Sequence, residues 1–152
     1  MQGISIAPAT IDDCPKCAEL LVEQLSEHGV DASAERLEQV LEGVVTDRGC
    51  GFLLVAQHNG QIVGVAYVAT IRSAEHCGLV AWLEELYVTP DHRSRGVGTA
   101  LLTAVLERAR EAGIVAVDLE IDAGHRRAAS LYGRFGFRPL DRSRWVKDLK
   151  TG

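Results

Sequence analysis

No stretch of this chain approaches the roughly 20 consecutive apolar residues that cross a bilayer, so no membrane partner is expected. Its first residues, Met1-Gln2-Gly3-Ile4-Ser5, show neither the basic segment nor the apolar core of a secretory leader, and the expected location is cytoplasmic. There is no internal repeat, low-complexity tract or linker, and 152 residues suffice for one domain with its own core. The absence of any Gly-Lys dipeptide excludes a Walker-type phosphate loop. Basic residues are scattered, without a recognition motif or interleaved aromatic platform, which argues against nucleic acid. Cysteine is scarce and poorly grouped. Cys14 and Cys17 stand as C-x-x-C, but Cys50 and Cys77 are isolated, so no second close pair completes a zinc set and no metal is expected. A redox motif would need a thioredoxin-type pattern around it, and none follows. The other reading makes Cys14, Cys17, Leu21 and Leu25 the buried stripe of a helix.

What is present is the composition of a globular domain, 47% hydrophobic and 24% charged. The net charge of −5 is unevenly spread. Residues 1–91 hold 14 acids against 4 Lys/Arg, whereas residues 92–152 hold 7 acids against 12 Lys/Arg. An acidic first part suits a cationic partner, and a basic second part suits a polyanion.

Ile4-Ser5-Ile6 alternates as a short strand, ended by Pro8-Ala9-Thr10. Thr10 or Asp12 caps a helix running to Glu27, and His28-Gly29 stops it. Ser33 caps a second helix over 34–45, with Leu37, Val40, Leu41 and Val44 turned inward. Residues 51–57 and 62–70 read as strands flanking Asn59-Gly60, a hairpin signal. Residues 71–80 lead by an undefined route to a strand over 81–88. A third helix, with Leu101, Leu102, Val105, Leu106 and Ala109 on one face, ends near Ala112-Gly113. Residues 114–121 read as a buried strand, 126–135 as a last helix, and 138–149 as a final strand carrying Trp145 and Val146. The order β-α-α-β-β-β-α-β-α-β predicts an α/β fold with a mixed sheet.

The most informative stretch is His92-Arg93-Ser94-Arg95-Gly96-Val97-Gly98-Thr99-Ala100-Leu101. A strand, a Gly-containing turn and a helix start leave backbone N–H groups unpaired, with the positive end of the helix dipole behind them. Gly96 and Gly98 let a ligand approach the main chain without meeting a Cβ, and Arg93 and Arg95 add charge. Phosphate binding at a helix N-terminus is the prediction. A dinucleotide fingerprint would need a small residue where Leu101 stands.

The pattern Arg93-x-x-Gly96-x-Gly98 follows Glu84-Glu85-Leu86-Tyr87-Val88, and beyond the next strand come Ala128, Leu131, Tyr132, Gly136 and Phe137. Together these segments resemble the GNAT N-acetyltransferase superfamily, the first its coenzyme A pyrophosphate loop, the second its Asn-x-x-Ala-x-x-Leu-Tyr-x-x-x-Gly-Phe segment. His125 stands where the family usually has Asn. The motifs cover residues 84–137, and the element order extends the likeness to nearly the whole chain. The resemblance implies a single acetyltransferase domain over residues 1–152. It also implies a mixed, mostly antiparallel sheet with splayed central strands flanked by helices.

It further implies an enzyme that moves an acetyl group from acetyl-CoA to a primary amine. Main-chain groups of Leu86 and Val88 would pair with the pantetheine arm as with an added strand. A backbone N–H of Leu86 or Tyr87 would hold the acetyl oxygen. The amides of Arg95, Gly96, Val97, Gly98, Thr99 and Ala100 would hold the pyrophosphate, with Arg93 and Ser94 alongside. His125 and Ala128 would complete the cofactor contacts, although His125 serves equally as a helix-start residue. Tyr132 would protonate the leaving sulfur as general acid. Glu85 is the preferred base and Glu84 the alternative, because consecutive strand residues face opposite sides unless a bulge reverses the parity. Water serves as base in many members of the family. The acidic first part fits a small cationic acceptor of aminoglycoside, polyamine or amino-acid type. A peptide or protein amine and a non-catalytic acyl-CoA-binding module are the alternatives. Homodimerisation is a family habit.

Overall fold

The computed structural model describes residues 3–122 and 124–150. Two compact units divide the chain, Met1–Glu120 and Ile121–Gly152. The first contains β1 (Ile4–Pro8), α1 (Cys14–Glu27), α2 (Ala34–Thr46), β2 (Gly51–His58), β3 (Gln61–Ser73), β4 (Gly78–Val88), α3 (Val97–Glu111) and β5 (Ala116–Asp118). The second contains α4 (Arg126–Arg134). The α/β class with a mixed sheet is what the element order predicted.

Local chemistry accounts for most boundaries. The Thr10 N–H donates to Asp13 Oδ2 at 2.8 Å and locks the turn that leads into α1. Ser33 caps α2, its Oγ accepting from the Arg36 N–H at 3.3 Å. Between β2 and β3, Asn59 and Gly60 both have positive φ, 51° and 76°, as a two-residue hairpin turn of the primed type requires. The undefined stretch at 71–80 resolves into a second hairpin, because β3 continues to Ser73 and β4 begins at Gly78.

The sheet runs β1-β2-β3-β4-β5, with antiparallel neighbours through β4 and a parallel β4–β5 pair. Against one face pack α1 and α2, where Cys14, Cys17, Leu21, Leu41, Leu53, Val55, Val65 and Tyr87 form one cluster. In α3, Val97, Leu101, Leu102, Val105 and Ala109 are buried. A Cβ at Gly64 of β3 would lie 3.0 Å from Leu101 Cδ1, 3.2 Å from Tyr87 O and 3.3 Å from Val97 Cγ1. The start of α3 therefore sits directly on β3 and β4, and Gly64 is what permits it. Gly64→Val should destabilise the protein by about 1–3 kcal/mol through overpacking, read as a lowered thermal midpoint.

The buried-stripe reading holds for Cys14, Cys17 and Leu21, while Leu25 is only partly buried. Cys14 and Cys17 are each 0% exposed, while Cys50 and Cys77 are exposed. Burial, with the neighbouring Cys14 and Asp13, pushes the Cys17 thiol up to about 12. Burial likewise raises Cys14, helped by Glu42, Asp13 and Glu38. Because the thiolate is the reactive species, iodoacetamide at pH 8 should modify Cys50 and Cys77 and spare Cys14 and Cys17 until the protein is unfolded.

Three expectations are corrected. Val40 faces outward, 49% exposed, because the buried stripe of α2 runs through Leu41 and Val44. The strand expected over 114–121 spans only Ala116–Asp118 and is half-buried, since it pairs with β4 for three residues and then stops. No strand forms at 138–149 among the described residues: Trp145, Val146 and Leu149 are 90%, 86% and 83% exposed, without the packing that would make an apolar run a strand.

Candidate active site

The early end of β5 opens the sheet. Val80, Ala81 and Trp82 pair with Ala116, Val117 and Asp118, and from Leu83 onward β4 has no strand on that side among the described residues. Main-chain groups alternate between the two edges of a strand. The Thr89 N–H turns back to Val63 O of β3 at 2.9 Å, so Leu86 and Val88 face the open edge and Tyr87 faces β3. Of the two proposed acetyl-oxygen donors, this favours the Leu86 amide over that of Tyr87.

The edge leads into the loop. A 3-10 turn, Pro90–His92, carries the chain out of β4, and Ser94 and Gly96 both take the left-handed region, φ 61° and 82°. Gly96 is the N-cap of α3 and brings no capping side chain over the helix mouth. The first main-chain bond of α3 runs from the Ala100 N–H to Gly96 O at 3.0 Å, so the amides of Val97, Gly98 and Thr99 precede the helix's own ladder. Ser94, Arg95 and Thr99 are exposed, as a polyanion site on this loop would require. A diphosphate fits this donor set of outward amides at the positive end of a helix.

Arg93, expected beside the pyrophosphate, turns toward α1. Its Nε donates to Val88 O at 2.9 Å, its NH2 group meets Glu27 Oε1 at 3.3 Å, and its guanidinium lies 5.2 Å from the Tyr87 ring centroid. Gln24 donates from Nε2 to Leu86 O at 3.2 Å. The Tyr87 hydroxyl donates to Glu23 Oε2 at 3.2 Å. Burial pushes the Tyr87 phenol up to about 12, with Glu27's charge and the Glu23 hydrogen bond adding and Arg93 opposing. These α1 residues carried no motif in the sequence. Only packing shows that Glu23, Gln24 and Glu27 meet β4 and its loop.

The two candidate bases share a β-bulge. Glu85 pairs with Tyr67 and Leu83 with Val68, leaving Glu84 as the extra residue on β4. The Trp82 indole donates to Glu84 Oε2. Burial first, and then the charge of Glu84, raises the pKa of Tyr67, the residue opposite Glu85 on β3. The bulge thus sets both acids opposite Tyr67, which packs against the α1–α2 cluster. Strict alternation would have separated them. The bulge does not.

In the second unit, His125 Nδ1 accepts from the Ala128 N–H at 3.2 Å, so the imidazole caps α4. This is the helix-start role. The Tyr132 and Phe137 rings meet edge to face, with centroids 5.6 Å apart. Among the described residues, no group of His, Cys, Asp and Glu could hold a metal ion, and no helix is long and apolar enough to cross a membrane.

The acetyltransferase (GNAT) family pattern matches residues 15–137. An uncharacterised N-acetyltransferase of Methanocaldococcus jannaschii is 31% identical over 102 residues, covering 63% of this chain and 43% of that one. The mycothiol acetyltransferase of an Arthrobacter species is 36% identical over 105 residues, covering 67% of this chain and 30% of the relative. The match thus spans less than half the length of either relative. In fold, the chain is similar to a Clostridium acetobutylicum protein described as a predicted acetyltransferase and solved with acetyl-CoA: TM-score 0.80, 19% identity, 95% of this chain and 96% of that one covered. A sheet opened past Trp82, a bare helix mouth beside it and a family pattern across most of its length place one conclusion on this chain: it belongs to the GNAT acetyltransferase family.

Proposed function

We propose that the protein, acting as one acetyltransferase domain, is an acetyl-CoA-dependent N-acetyltransferase whose acceptor is a primary amine on a small cationic molecule. The observation that carries this reading is the continuity of the open β4 edge at Leu86 and Val88 with the outward amides at the start of α3. An extended arm fits the edge as an added strand through the Leu86 and Val88 amides, whose carbonyls already accept from Gln24 Nε2 and Arg93 Nε, and its diphosphate fits the helix mouth. Acetyl-CoA supplies the thioester. The Leu86 N–H faces the edge where a developing oxyanion would need a donor.

A free alkylamine, with a pKa near 10, must lose a proton before it attacks. Glu84 and Glu85, brought together by the bulge, supply the base directly or through water, Glu85 half-buried and Glu84 held by the Trp82 indole. Tyr132 supplies a proton to the departing sulfur, a role that rests on its place in the Leu-Tyr-x-x-x-Gly-Phe pattern. The preference for a cationic acceptor is supported by the acid-rich first 91 residues, whose α1 carries Glu23 and Glu27 to β4. The relative named as a mycothiol acetyltransferase also carries a small molecule in its name. A thiol-release screen of acetyl-CoA against a broad amine library tests the proposal. Release with cationic primary amines is expected; saturable acetyl-CoA binding with no release to any amine would overturn it in favour of a binding module.

A further inference from the structure

The open edge of β4 is not bare. Gln24 commits its amide nitrogen to Leu86 O at 3.2 Å. Its other polar atom, Oε1, is buried and accepts no hydrogen bond from any described residue. A buried acceptor without a donor costs free energy, and each such atom in a native fold calls for an explanation. Flipping the amide does not remove the problem, because it would set two oxygens against each other at Leu86.

The surroundings say what kind of donor suits it. Helix α1 brings Glu23 to the hydroxyl of Tyr87, the residue after Leu86, and Glu27 to Arg93. Two carboxylates against one guanidinium leave surplus negative charge on this stretch of α1. A neutral amide N–H would satisfy Oε1 and gain little from that charge. An ammonium gains from both.

Resting on the acetyltransferase reading above, we infer that Gln24 Oε1 takes an N–H from the ammonium group of the acceptor as it binds, before the base removes the proton that frees the attacking lone pair, with Glu23 and Glu27 as countercharge. One carboxamide then joins the acceptor to the strand edge that bears Leu86, and Gln24 is a specificity-determining residue for cationic amines. The same arrangement discriminates against amines that are uncharged when they bind, since these leave the carboxylates uncompensated.

Steady-state kinetics with putrescine, lysine and phenethylamine as probes test this. Gln24→Lys retains a donor for Leu86 O but offers no acceptor; Gln24→Met removes both. Each should raise KM for the best of the three amines by roughly tenfold or more, Lys the more strongly, with KM for acetyl-CoA within about twofold of wild type. Wild-type amine KM in Gln24→Lys would show that Gln24 only anchors the strand, and the inference falls. A rise confined to KM for acetyl-CoA overturns it as well, because the amide would then lie in the path of the donor. If the unmodified protein binds acetyl-CoA yet acetylates none of the amines, the failure is that of the proposed activity, and this assignment goes with it.

Discussion

Tyr132→Phe is expected to lower kcat by roughly a hundredfold or more while leaving the affinity for coenzyme A nearly unchanged. The substitution removes one hydroxyl and keeps the ring that meets Phe137 edge to face at 5.6 Å, so α4 should fold as before. A general acid contributes when charge builds on the departing sulfur, and not when the thioester merely binds. The loss should therefore appear in kcat and kcat/KM together, with KM for acetyl-CoA little altered. Activity within about threefold of wild type, measured by thiol release, would remove Tyr132 from the chemistry and leave water to protonate the thiolate.

The second large effect is expected at Gly96. This residue sits at φ 82° as the N-cap of α3, a conformation that costs a residue with a Cβ roughly 1–2 kcal/mol and a β-branched one more. Gly96→Val would either pay that strain or swing the loop out of the left-handed region, which redirects the amides of Val97 and Gly98. Coenzyme A affinity should fall by roughly tenfold to a hundredfold in calorimetry. Because α3 packs through Val97, Leu101, Leu102 and Val105, the fold itself should survive with a modestly lower melting temperature. Unaltered binding of coenzyme A by a folded Gly96→Val protein would show that the diphosphate lies elsewhere.

Much of this architecture was legible in the residues. Asn59-Gly60 turned where a hairpin was expected, Ser33 stands at the helix start assigned to it, and His125 takes the helix start that was the alternative to its cofactor contact. The stripes of α1 and α3 were visible at helical spacing, although Val40 of α2 faces outward because packing settled how far that stripe extends. Failures fall where pairing partners decide. Residues 114–121 are apolar enough for a long strand, yet only three pair with β4. Residues 138–149 carry Trp145 and Val146 at high exposure, so their apolar character alone did not make a strand. Apolar content records what a segment can bury, and a strand forms only where a neighbour offers an edge in register.

The division at the site follows the same physics. Residues of the chain alone specified the Gly96–Gly98 turn, the exposed helix start and the acidic pair on β4, because each depends on dihedral freedom, period or charge within a few neighbouring positions. Tertiary structure alone decided which atoms meet. It placed Gln24 against Leu86, 62 residues away, and Arg93 against Glu27. It also set the bulge that leaves Glu84 and Glu85 together opposite Tyr67. A register shift of one residue reverses the facing of every side chain beyond it, and that shift is chosen by the strand opposite, so no reading of β4 by itself could have contained it.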